Sequence, residues 1–255
     1  MARLDNMTAL GAALLVLASA CGTSPVLGDR HSVEWYESAN AAPVAQVGVA
    51  QLLAEPWLDP IEVYWESGDD ERITASLESC GEYLDAAHLR VRPVHGGTTA
   101  AIFQARALHC QALTMVLDAA PAVVSYLRPF AFDEGLPDRA PWQLAMISSA
   151  SEAQQIAAER PNATWRHALF APLDEFSACG THCGRYIDPG AVQAVRLVAR
   201  GDFDGDGVED MLVSSSEAAR GGSYQAYRML VLTRRTPDGR VELVRELEYC
   251  GHRCS

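Results

Sequence analysis

The chain has 255 residues, 49% of them hydrophobic, and a formal net charge of −13; its isoelectric point is near 4.9. Such an acidic surface argues against nucleic acid and anionic lipid headgroups as partners, and the apolar content is enough for a packed core in one large domain or two small ones. After the first stretch no apolar run is long enough to cross a bilayer as a helix, which takes roughly 20 residues.

Residues 1–20 read as a secretory signal: Arg3 near the start, the apolar run from Leu10 to Ala18, and the small residues Ala18-Ser19-Ala20 at the expected cut. Leu17-Ala18-Ser19-Ala20-Cys21-Gly22 resembles the lipobox of bacterial lipoproteins, which implies cleavage before Cys21 and diacylation of its sulfur; an ordinary signal peptidase would cut at the same bond. The cysteines favour the lipid anchor. The chain has seven, an odd number, and acylation of Cys21 leaves an even set of Cys80, Cys110, Cys179, Cys183, Cys250 and Cys254. In an oxidising compartment these read first as disulfides. Gly22 stands where aspartate favours inner-membrane retention, so the resemblance implies an outer-membrane lipoprotein facing the periplasm.

Residues 21–46, rich in Ala, Ser, Pro and Gly, read as a tether, with order expected from about Val47. The spacing of Ile73, Leu77, Cys80, Leu84 and Ala87 predicts a helix over 70–87. Asp69-Asp70-Glu71 would supply the negative charge that suits its N-terminus. A second helix is expected from about Thr98 to Ala119, stopped by Pro121. Each carries one cysteine, so a Cys80–Cys110 bridge between packed helices is the natural pairing. Trp142–Ser148 and Thr164–Phe170 read as strands. Between them, Ser149 with Glu152 resembles a capping box that opens a helix to about Glu159.

Beyond Cys179 the texture changes to β-rich runs at 185–187, 192–200, 211–215, 224–234 and 241–247, separated by turn sequences. The expected fold is α+β: a mixed helical and strand region over 47–175, then an antiparallel meander over 176–255. The two parts would be either two domains or two halves of one.

Gly201-Asp202-Phe203-Asp204-Gly205-Asp206-Gly207-Val208-Glu209-Asp210 is the sharpest chemical signal. Carboxylates alternate at Asp202, Asp204 and Asp206, and Asp210 closes the set. Glycines between them permit a sharp turn. Carboxylates this close repel unless a cation lies among them, and calcium, a hard ion with flexible oxygen coordination, suits the pattern. The main-chain carbonyl of Val208 would be a further ligand. The stretch is not an EF-hand, whose twelfth position would be Val213 here. It resembles the D-x-D-x-D-G-x-x-D loops of FG-GAP and VCBS-type repeats, and the following Met211-Leu212-Val213 resembles the strand that leaves them. One copy is present, too few for a propeller.

Cys179-Gly180-Thr181-His182-Cys183 and Cys250-Gly251-His252-Arg253-Cys254 share the pattern C-G-x-x-C. Disulfides are the first reading and a zinc site the alternative; whether each pair closes on itself or bridges to the other stays open. No catalytic set stands out: Ser214-Ser215-Ser216 lack the context of a hydrolase nucleophile, His95 beside Gly96-Gly97 reads as a loop residue and not a general base, and His88, His109 and His167 lack an acidic partner pattern. The expectation is a calcium-stabilised, lipid-anchored binding protein that recognises a protein or envelope polymer, an immunity or inhibitor lipoprotein being one candidate. An envelope hydrolase with dispersed catalytic residues is the alternative.

Overall fold

A computed structural model describes residues 30–68, 71–128, 130–147, 149–168, 172–222 and 224–249. Residues 1–20, read above as a signal peptide, Cys21, and Cys250 with Cys254 lie outside them.

The fold is mixed α+β. Its centre is an antiparallel sheet built on β8 (Ala191–Gly201), β9 (Asp210–Ala219) and β10 (Gln225–Thr233), extended by β11 (Glu242–Leu247) in a continuous meander. The other edge of β8 is shared. β7 (Cys183–Ile187) pairs with its first half and carries β6 (Glu175–Gly180) beyond it. β1 (Glu34–Trp35) pairs with its last residues and carries β2 (Val44–Ala45).

Both faces of the sheet are covered, because side chains alternate along the strands. Met229 and Val231 of β10 join one core, whereas Leu230 and Leu232 join the other. The first core is filled by α3 (Thr98–Asp118), which offers Phe103, Leu108, Leu113 and Val116. Behind it stands a three-stranded antiparallel sheet of β3 (Pro56–Glu66), β4 (Arg72–Ser79) and β5 (Arg92–Pro93). Short helices α1 (Gln46–Leu52) and α2 (Cys80–Ala86) flank α3. Gln46 Nε2 lies 2.8–2.9 Å from the carbonyls of Val116, Leu117 and Ala119, where the last turn of α3 leaves acceptors without a helical donor. A Cys80–Cys110 disulfide joins α2 to α3. The opposite core is closed by residues 127–168, with α4 (Leu136–Arg139), α5 (Ala150–Glu159) and α6 (Trp165–Ala168) supplying Leu136, Ile156 and Trp165.

The helix at 98–119 and the meander stand where the sequence puts them. Ser149 caps α5 as expected, its Oγ accepting from Glu152 N at 3.1 Å. Four expectations need correction. Residues 72–79 are a strand, not the first half of a helix, because β3 pairs with them from Glu66↔Arg72 to Ile61↔Leu77 and buries Leu77 by alternation. The helix starts only at Cys80, with Ser79 Oγ accepting from Glu82 N. Trp142–Leu144 is a short 3₁₀ turn, not a strand, and Trp165–Ala168 is one turn of helix. Both press apolar side chains onto a sheet face that the meander strands already fill, and neither extends it. Finally, residues 30–46 are not a free tether: Val33, Trp35 and Tyr36 are buried, and aromatic burial outweighs the loop-like composition around them.

Candidate functional site

The acidic loop joins β8 to β9, its ends closed by the Gly201↔Asp210 pair. Gly205 and Gly207 adopt φ of 81° and 83°, the left-handed region that side chains resist. That lets the chain fold its carboxylates inward over its own amides. Asp202 Oδ1 accepts from Gly205 N at 2.7 Å and Oδ2 from Gly207 N at 2.9 Å. Asp210 Oδ2 accepts from Phe203 N at 2.9 Å across the loop.

One carboxylate oxygen each from Asp202, Asp204 and Asp210 lies within 4.8 Å of the others. Two ligands on opposite sides of a calcium ion, at about 2.4 Å each, stand about 4.8 Å apart, so the cluster has the size for that ion. Asp210 is fully buried. Burial pushes its pKa up to about 6, against the hydrogen bonds of the Thr233 hydroxyl and the Phe203 amide, and the nearby charges of Asp204 and Asp206 add to the rise. Asp206 is not brought into the cluster. Its Oδ1 accepts from Val208 N at 2.8 Å, and its other oxygen pairs with Arg235, which also reaches Asp204 Oδ2 at 3.2 Å. Val208 forms a parallel bridge to Val124, whose hydrogen bonds use Gly207 O and Glu209 N and not the Val208 carbonyl.

The loop is braced from behind by residues that the sequence reading missed. Ala120 and Asp202 exchange backbone hydrogen bonds at 3.0 and 3.1 Å, and Val124 O accepts from Glu209 N at 2.7 Å. Glu209, fully buried, turns away from the aspartates. Its carboxylate accepts from Ser125 Oγ at 2.6 Å, Arg128 Nη2 at 2.7 Å and Arg200 Nη1 at 3.1 Å. The signal for this was position: Glu209 is the one carboxylate out of step with the alternation of Asp202, Asp204 and Asp206.

Cys179 and Cys183 are bonded to each other across the β6–β7 turn. Among the described residues the histidines do not gather. His95 stands at the surface 3.7 Å from Glu62, His167 Nδ1 meets Thr164 Oγ1 at 2.7 Å, and His109 packs edge-on against Trp35. No helix among the described residues is long and apolar enough to cross a membrane. Comparison with protein families, curated proteins and solved structures finds no match for the chain.

Proposed function

We propose that this is a lipid-anchored protein of the bacterial envelope that works by binding another macromolecule, with calcium ordering its central sheet. Asp202, Asp204 and Asp210 would hold the ion, with the Val208 carbonyl as a further ligand; Asp206 would reach it only by leaving Arg235. Calcium would supply charge, not chemistry: it neutralises converging carboxylates and ties the β8–β9 turn into one unit.

One observation carries this reading. Asp210 is fully buried, its carboxylate meeting only the Phe203 amide and the neutral Thr233 hydroxyl, beside two more carboxylates whose oxygens lie within 4.8 Å. A buried charge left unpaired is costly, and a cation among the three removes the cost. The anchor rests on Cys21 and the residues before it, and the binding role on the acidic, disulfide-bonded character of the body.

Equilibrium dialysis of the purified protein tests the site. One calcium ion per chain is expected, lost in Asp204→Ala. No bound ion at millimolar free calcium would overturn the reading.

A further inference from the structure

Two cavities away from the acidic loop run together along the flank of α3. The first, of about 500 Å³, is walled by Trp57, Tyr227 and His109 and edged by Glu37, Glu55 and Arg106. The second, of about 470 Å³, lies over one end of the central strands, with Val192, Ala194, Ala218 and Ala226 in its lining. Ile102, Ala105 and Tyr227 line both, so the two are one trough. Each lobe falls in the size range of ligand pockets, about 300–1,000 Å³. Small side chains on the sheet and the path of α3 keep it open, and Ile102 stands 45% exposed within it.

The lining dictates what would fit. Trp57 and Tyr227 present ring surface; the Arg106 guanidinium stands over one face of Trp57, 4.9 Å from the ring centre, and leaves a ligand the rest of that ring. Trp35, buried beneath, packs edge-on to His109 with ring centres 5.2 Å apart. Burial holds His109 well below its ordinary pKa, so at neutral pH one ring nitrogen donates and the other accepts. Glu37 and Glu55 add acceptors; Arg106 and Arg185 add donors.

The opposing charges along the rim nearly cancel. An anionic polymer meets the glutamates, and a cationic one meets the arginines. A purely apolar ligand would cover charged groups without hydrogen-bonding them. An extended peptide would find a sheet face here, not a free strand edge whose backbone it could extend.

We infer that this trough binds a neutral oligosaccharide, whose apolar ring faces lie on the Trp57 and Tyr227 rings and whose hydroxyl groups pair with the glutamates, arginines and His109. The two-lobed shape suits a chain of several sugar rings. The inference rests on the reading of the protein as an envelope binding protein and gives its partner a chemical class.

Isothermal titration calorimetry with four neutral tetrasaccharides (chito-, cello-, malto- and mannotetraose) tests it, with an acidic and a basic peptide alongside. Melting curves with calcium and with chelator are recorded first, so that failure of the calcium site is seen separately from failure of the trough. Binding of at least one tetrasaccharide is expected, weakened about tenfold or more by Trp57→Ala, which is about 1.4 kcal/mol, and unchanged by Val47→Ser on an exposed site outside the trough. The inference is overturned if the folded protein binds none of the four at millimolar concentration. Binding that survives Trp57→Ala unchanged, or capture of a peptide in place of a sugar, overturns it as well.

Discussion

Replacing Glu209 by glutamine should cost the fold far more than its conservative chemistry suggests. The Glu209 side chain is 0% exposed and Arg200 only 7%, whereas Arg128 is 42% exposed. Arg128 loses little, since it can turn to water or to Glu34, 3.7 Å away. Arg200 has less escape: an amide leaves its buried cation with only Glu34, opposite it across the β1–β8 pair, and that carboxylate already accepts from Tyr36 and faces Arg128. Breaking a buried pair in this way costs about 3–5 kcal/mol. At about 2–4 °C per kcal/mol for a chain of this size, that is roughly 6–20 °C in melting temperature. Calorimetry in chelator, which keeps metal out of the comparison, reads it. The double variant Arg200→Met with Glu209→Leu should be more stable than Glu209→Gln alone, because it removes both charges and fills the space with apolar atoms. A Glu209→Gln cost under about 1 kcal/mol, or a double variant no more stable than Glu209→Gln, would refute the buried-pair argument.

Cys21→Ser should release the protein from the membrane fraction and abolish fatty-acid labelling; a labelled, membrane-bound variant would sink the anchor. Removing the Cys80–Cys110 bridge, which spans 30 residues, should cost roughly 3–4 kcal/mol in denaturant unfolding. Removing Cys179–Cys183, which spans 4, should cost about 2 kcal/mol; the reverse order would contradict the chain-entropy argument. Burial, with Arg196 adding to it, pushes His109 from 6.5 down to about 4. The native ring therefore stays neutral while the unfolded one takes up a proton below pH 6.5. Stability is lost as pH falls, by roughly 2 kcal/mol at pH 5 from this group, and His109→Gln removes that slope. A His109 resonance titrating near pH 6.5 in the folded protein would contradict it.

What could be read from the sequence was what local chemistry decides. The apolar stripe of α3, the Ser149 cap and the β-rich runs of the meander with their turn sequences are each complete within a short window. So is the loop, whose glycines and aspartates announce its turn. The strand at 72–79 was hidden because Ile73, Leu77 and Cys80 also fit helical spacing, and its partner β3 contains Pro56 and Pro60. The better signal was Ser79 with Glu82, a capping pair that puts the helix start at Cys80. The burial of Trp35 and the turns at 142–144 and 165–168 depend on a sheet assembled from residues far along the chain. The Glu209 network and the trough beside α3 depend on it in the same way, each drawing residues from both halves of the sequence.

The central claim is that the β8–β9 loop is a calcium site that stabilises the sheet, and melting curves in calcium, magnesium and chelator test it most directly. Calcium at about a hundredfold over its dissociation constant should add about 2.7 kcal/mol, or roughly 5–10 °C. Magnesium, which demands a smaller and stricter octahedral site, should add much less. Asp204→Ala should abolish the calcium response. Coincident curves for the unaltered protein in millimolar calcium and in chelator would contradict the account.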